Sequence, residues 1–219
     1  LYEQGLDPKW AYTPYGMSRS MGIHESQSRF WEIFIGQSLP FWEGQLPRIQ
    51  ALFPSTKHHV ADDFYKSAKY IQPHWCRVES DVVTYNMHII LRYECEKRLF
   101  SEELDVDDIP RFWNEKMLDY LGIDVASDTQ GCLQDVHWSA GLFGYFPSYT
   151  LGTLIAAQLY QKIRTTFSDL DEMIYRGEFI EIKKWLNEHV HFHGSKKTTS
   201  ELMQDLSISY DPIDFLKSI

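Results

Sequence analysis

Apolar residues recur at helical spacing along most of the chain, and strict alternation of apolar and polar positions is rare. The clearest case is "DVVTYNMHIILRYECEKRLF", residues 81–100. Val83, Met87 and Ile90 share one face of a helical wheel. Tyr85, His88, Arg92 and Glu96 follow i, i+3, i+7, i+11 spacing and form a polar stripe, which by itself reads as the solvated face of the helix. Asp81 suits the N-cap, and charges gather at the far end. "PRFWNEKMLDYLG" predicts a helix with Pro in its first turn and Gly at its close. "PSYTLGTLIAAQLYQKIRTTF" predicts another with an apolar centre, and "FIEIKKWLNEHV", "TSELMQDL" and "PIDFLKS" predict shorter ones.

The first third is less regular. A helical pattern runs from Ser26 through Phe30, Ile33, Phe34 and Gln37, and Pro40 and Pro47 must kink or divide it. A second helix fits "HVADDFYKSAKYI", before Pro73. "HWCRVES" alternates weakly and suggests a short strand or extended segment. Residues 7–23 form a loop rich in Pro, Gly, Ser and aromatics, longer than most connections. "LYEQGL" resembles the last turn and a half of a helix, closed by Gly5 and stopped by Asp7-Pro8. With no initiator Met or signal peptide before it, the chain is expected to be a piece of something longer. The expected fold class is all-α with at most a short strand, without repeats or a Gly-rich phosphate loop.

Composition narrows the function classes. At 219 residues, 43% hydrophobic and 15% aromatic, the chain can bury a sizeable core. A net charge of -10 without a Lys/Arg cluster argues against nucleic acid and anionic membranes as partners. No apolar run reaches about eighteen residues, so no membrane span is expected. Cys76, Cys95 and Cys132 are odd in number and lack CxxC spacing, which suits a reducing cytoplasm and no Cys-type metal site.

Four groups carry candidate chemistry: His24-Glu25; Arg77 with Asp81; Tyr85 with His88; and Gln134, Asp135, His137, Tyr145 and Tyr149 in "GCLQDVHWSAGLFGYFPSYT". Simple structural roles compete with each. Glu25 in a first helical turn is favourable with the macrodipole alone. Arg77 can be an ion-paired surface arginine. The fourth group is hardest to dismiss, because a solvated loop rarely carries so much aromatic bulk. His189, His191 and His193 alternate, and a cap at helix-end carbonyls explains them better than a metal tract. His58 and His59 suit a helix-start surface.

Four segments together resemble the carboxypeptidase Taq family of zinc metallocarboxypeptidases: "GIHESQSRFWE", "RVESDVVTYNMHIILRYE", "GCLQDVHWSAGLFGYFPSYTLG" and "WLNEHVHFHG". They occur in the family's order and cover essentially the whole chain. Members are about twice as long, so the resemblance implies the C-terminal half of one larger helical, zincin-type catalytic domain with a deep substrate cleft, spanning residues 1–219 here. It implies an HEXXH zinc site, two His binding the ion with the Glu between them as general base. That motif is absent from this sequence, and the family's order would place it just before "LYEQGL".

The family pattern assigns Glu25 as third zinc ligand, with His24 a neighbour and Ser26, Gln27 and Arg29 as orienting groups. Arg77 matches the arginine that grips a substrate's C-terminal carboxylate, although Cys76 and Ser80 replace the family's aliphatic and Ala. The GxxQDxHW pattern is intact, so His137 would steady the oxyanion with Asp135 as its orienter, Tyr149 or else Tyr145 would donate to the same oxygen, and Tyr85 and His88 would line the cleft. The resemblance further implies peptide substrates with a free C-terminus, broad specificity with little taste for terminal proline or acidic residues, and a homodimer. The chain alone is expected to be inactive, since one carboxylate does not hold zinc usefully. A non-catalytic helical peptide-binding module built on the same fold is the alternative.

Overall fold

The computed structural model describes residues 1–219, and its regular structure is all helical, with no strand. The chain divides into two compact units. Residues 1–68 and 151–219 form the first, and residues 69–150 the second.

The first unit holds α1 (Met21–Arg29), α2 (Leu39–Leu52), α3 (Ala61–Ala68) and, after the second unit, α7 (Leu170–Arg176), α8 (Phe179–His189), α9 (Thr199–Leu206) and α10 (Pro212–Ser218). The second holds α4 (Tyr85–Phe100), α5 (Ile109–Leu121) and a long loop. The unit boundary falls in the first turns of α6 (Pro147–Thr166).

Local chemistry shifts several predicted boundaries. The Ser20 hydroxyl accepts from the Ile23 N–H at 3.2 Å, so α1 opens at Met21 and not at Ser26. Glu25 therefore sits in the second turn, and a first-turn macrodipole role does not describe it. Phe30–Gly36 follows as a π-helix, in which Phe30, Ile33, Phe34 and Ile35 are all buried. Pro40 divides this stretch as expected by opening α2, where its missing N–H is harmless, whereas α2 continues through Pro47.

"LYEQGL" is a single 3₁₀ turn, Glu3–Gly5, and not the end of an α-helix. Gly5 has a packing reason, because a Cβ there would lie 2.6 Å from the His191 Cβ. The predicted strand at "HWCRVES" is a 3₁₀ turn, Arg77–Glu79, whose first N–H is taken by the Gln134 side chain at 2.9 Å. Asp81 caps a turn that precedes α4, accepting from the N–H groups of Val83 and Thr84 at 2.8 and 2.9 Å. The α5 and α6 predictions hold, with Gly122 closing α5 at φ 67°. Helix α7 has no counterpart in the sequence prediction.

Helix α4 inverts its expected faces. Tyr85, His88, Arg92 and Glu96 are 6%, 0%, 0% and 5% exposed, while Ile90 is 41% exposed. The supposed solvated stripe is the buried one. Around it, Leu91, Trp113, Met117, Leu121 and Cys132 form one apolar cluster, and Tyr85, Ile89 and Phe146 another.

In the first unit, α2 and α7 touch backbone to backbone at Gly44, where a Cβ would fall 2.0 Å from the Tyr175 carbonyl oxygen. Backbone cannot step aside as a flexible side chain can. Gly44→Ala is expected to lower unfolding free energy by about 3 kcal/mol, the upper range for overpacking, as read by urea denaturation. An unchanged midpoint would show that α2 and α7 separate at little cost.

Candidate active site

Polar groups enter a protein interior at a cost unless they find partners, and each residue of the α4 stripe finds at least one, although His88 Nδ1 is buried without a hydrogen bond. The Tyr85 hydroxyl accepts from Arg77 Nη1 at 2.6 Å. His88 Nε2 lies 2.9 Å from the His74 carbonyl and 2.8 Å from Ser80 Oγ. Arg92 Nε donates to Asp135 Oδ2 at 2.8 Å, and its Nη1 donates to the His88 carbonyl at 2.8 Å. Glu96 accepts from Trp138 Nε1 at 2.8 Å and from the Gly144 N–H at 2.9 Å. One helix face thus holds the 74–80 turn and the 135–144 loop together.

Asp135 is the hub. Arg77 Nη2 reaches its Oδ1 at 2.6 Å, Arg77 Nε lies 3.2 Å from both oxygens, and Arg92 Nη2 lies 2.6 Å from Oδ2. Burial pushes the Asp135 carboxyl up, but the Arg77 hydrogen bonds and the charges of both guanidiniums outweigh burial and hold it below the usual carboxylate range. Two cations share one anion, so the triad carries one uncompensated positive charge. Arg77 lies over the Tyr149 ring at 4.8 Å, and Arg92 over Trp113 at 4.5 Å. Arg77 is thus no surface arginine, and Asp81 is not its partner.

His137 Nε2 lies 2.9 Å from the Tyr149 hydroxyl. Its ring sits 4.3 Å from that of Phe146 and 5.5 Å from that of Tyr145. Burial lowers its pKa below the ordinary histidine value, so it is neutral at neutral pH. The Asp135 carboxylate is 3.7 Å from His137 Nδ1, too far for a hydrogen bond. Asp135 therefore acts on His137 by charge, while its hydrogen bonds go to the two arginines.

Arg77, Tyr85, His88, Asp135, His137, Tyr145 and Tyr149 thus all gather in the second unit. Gln134 adds a staple, accepting from the Arg77 N–H and donating to the Trp75 and Gln130 carbonyls at 3.0 and 2.9 Å. Sequence reasoning missed Arg92 and Glu96 as members of this site. The available signal was the stripe itself, which aligns Tyr and His with Arg and Glu.

Glu25 belongs to the first unit. Its Oε2 accepts from Ser28 Oγ at 2.9 Å. A Cβ at Gly152 would fall 2.8 Å from the Glu25 Cβ, so a bare glycine makes room for this side chain. Burial pushes the Glu25 carboxyl up, which marks a carboxylate that gains from a nearby cation. Ser26 and Gln27 turn elsewhere. Ser26 Oγ donates to the Ile23 carbonyl at 2.6 Å, and Gln27 Oε1 meets His191 Nε2 at 2.7 Å. His24 faces Glu3 at 3.5 Å.

No cluster of three or more His, Cys, Asp or Glu is poised for a metal. Glu25 fits as one oxygen donor, and the chain supplies no complete ligand set around it. His189 Nδ1 bonds the Trp185 carbonyl at 2.8 Å, the helix-end role expected of it.

Residues 1–218 match the sequence model of the Carboxypeptidase Taq (M32) metallopeptidase family. The chain belongs to this family. Carboxypeptidase 1 of Bacillus subtilis is 45% identical over 100% of the chain and 44% of the relative. Thermostable carboxypeptidase 1 of Thermus thermophilus is 45% identical over 90% of the chain and 38% of the relative. A solved Pyrococcus furiosus carboxypeptidase superposes with TM-score 0.95 at 40% identity, covering 99% of the chain and 44% of that structure. Trypanosoma cruzi metallocarboxypeptidase 1 superposes at 0.92 with 37% identity, covering 99% of the chain and 46% of that structure. This M32 chain therefore spans less than half the length of the relatives it matches. The family description makes its members metallopeptidases.

Two predictions follow from the buried charges. Burial lowers His88 and His191 to about 4. A histidine lowered on folding binds more protons when unfolded, so stability is present above the unfolded pKa near 6.5 and is lost as pH falls towards 4. The expected loss between pH 7 and pH 4.5 is on the order of 2–3 kcal/mol per histidine, read as a falling urea midpoint. His191→Asn should flatten that slope. Asp135→Asn leaves two buried guanidiniums without their anion and is expected to cost about 3–5 kcal/mol by the same measurement.

Proposed function

We propose that this M32 chain is the substrate-gripping, C-terminal half of a metal-dependent carboxypeptidase, with residues 1–219 part of one larger catalytic domain. The buried net positive charge of Arg77, Asp135 and Arg92, beside the neutral His137–Tyr149 pair, is the observation that carries this reading. Arg77 is the group that receives a peptide's terminal carboxylate, an anion that the triad's spare charge attracts. Tyr85 and Tyr149 flank its guanidinium and give it a fixed direction. His88 is fully enclosed and contributes to the cleft from behind, through the Ser80 turn.

His137 and Tyr149 supply neutral hydrogen-bond donors for a carbonyl oxygen that gains negative charge during hydrolysis. A neutral histidine donates from one nitrogen, and a phenol donates from its hydroxyl. Tyr145, ring against ring with both at 5.5 Å, is the second choice for that role. Glu25 is the carboxylate offered to the metal, which we take to be zinc. When bound, such an ion supplies an activated water. Desolvation around Glu25 favours giving its charge to a cation over keeping it alone.

Substrates are peptides with a free C-terminus. Free thiols at Cys76, Cys95 and Cys132 suit a cytoplasmic setting, and no helix is long and apolar enough to cross a membrane. Exposed Phe100, Val106, Leu133 and Val136 suit burial in a homodimer.

The experiment compares this chain with a longer gene product that includes an HEXXH segment. The chain alone is expected to hold zinc substoichiometrically and to release no residue from a short unblocked peptide. The longer product is expected to bind one zinc and to trim free-carboxylate peptides but not amidated ones, and Glu25→Gln should cost it metal. A longer product without metal or activity would leave the peptide-binding module as the reading.

A further inference from the structure

Arg92 has no role in the reading above beyond charge, yet its guanidinium is held by a carboxylate, a backbone carbonyl and two aromatic rings. It is fully buried on α4. Its Nε and Nη2 face one carboxylate oxygen, Asp135 Oδ2, at 2.8 and 2.6 Å. Its Nη1 is fixed to the backbone of its own helix, at the His88 carbonyl. Trp113 and Phe146 enclose the guanidinium, at 4.5 and 5.2 Å from their ring centres. A planar fork anchored to a helix and enclosed by rings cannot follow its partner, so the partner must follow it.

Arg77 differs. It sits on a 3₁₀ turn of three residues, and Asp135 sits on a loop. With Arg77 alone as partner, Asp135 could rotate with it, and the pair would close on itself as a neutral ion pair. Arg92 holds Oδ2 from the helix side and leaves Oδ1 to Arg77 Nη2 at 2.6 Å.

We propose that Arg92 is a positioning residue: it fixes Asp135 from α4, and through Asp135 it sets the direction of the Arg77 guanidinium and leaves the three-residue cluster one positive charge in excess. The proposal rests on the reading that Arg77 receives a substrate's terminal carboxylate. Arg92 itself touches no substrate. Lysine would not reproduce it, because a compact ammonium on a flexible stem lacks the planar fork that fixes direction.

The test uses this chain and needs no catalysis. Arginine Nε–H signals are recorded by nitrogen-15 NMR, with the Arg77 signal assigned by its loss in Arg77→Lys. The folded wild type is expected to show slow solvent exchange at both Arg77 and Arg92. In Arg92→Lys and Arg92→Gln, Arg77 exchange should quicken by at least about tenfold, while the Trp138 indole N–H, held by Glu96, stays protected. Unchanged Arg77 exchange in either folded variant overturns the proposal. Should neither variant fold, scalar couplings across the wild-type hydrogen bonds decide. Coupling from the Asp135 carboxyl carbon to both arginine Nε atoms supports it, and coupling to Arg77 alone overturns it.

A parallel titration with a free-carboxylate peptide and its amide separates the two claims. Equal affinity for both in the wild type defeats the carboxylate reading of Arg77. Arg92→Lys binding the free peptide as tightly as a discriminating wild type defeats the positioning role.

Discussion

A buried carboxylate shared by two guanidiniums governs the second unit. Charges leave water at a cost of several kcal/mol each, and only close pairing offsets that. Arg92 therefore cannot be enclosed without Asp135, and Asp135 cannot be drawn inward without dragging its loop onto α4. Arg77, reaching the same carboxylate, brings the 77–79 turn with it. Three segments, the last of them more than forty residues from Arg92, are placed by one anion. Gln134 and Glu96 then fasten the same loop through backbone and indole N–H groups. The loop carries little regular structure, yet Asp135, Gln134, Trp138 and Gly144 each hydrogen-bond to groups outside it.

The same charge arrangement sets the chemistry. His137 stands 3.7 Å from Asp135 without a hydrogen bond, and burial together with the two nearby guanidiniums disfavours its cationic form. It remains neutral, with its Nε2 in hydrogen-bond contact with the Tyr149 hydroxyl. The Arg77 side of the cluster carries the excess positive charge, and the His137 side is neutral. The positive charge and the neutral donors are kept apart by which group Asp135 chooses to bond.

The first unit solves a different problem with small residues. Gly152 leaves space for the Glu25 side chain, Gly5 for His191, and Gly44 for the backbone of α7. None of these three adopts the left-handed region, so their missing Cβ matters for approach and not for backbone freedom. Glu25 is thereby held half-buried in the second turn of α1, with a serine hydroxyl on one oxygen.

Helix content, the α5 and α6 boundaries and the family were legible in the sequence, because periodicity, Pro and Gly punctuation and local motifs are properties of neighbouring residues. Glu25, Arg77, Asp135, His137 and Tyr149 could be named from motif position. Their geometry could not. Spacing marks Tyr85, His88, Arg92 and Glu96 as one stripe on α4, but a helical wheel has no means of saying which side faces water. That depends on whether partners arrive from residues 74–80 and 135–144, which lie outside the helix and, for 135–144, more than forty residues away. The same holds for "HWCRVES", where the hydrogen bond from Arg77 to Gln134 replaces the strand partner that alternation alone anticipates. Sequence by itself determined which residues can form helices and which carry charge. Tertiary structure decided which charges are buried, since burying a charge depends on an anion supplied from elsewhere in the chain.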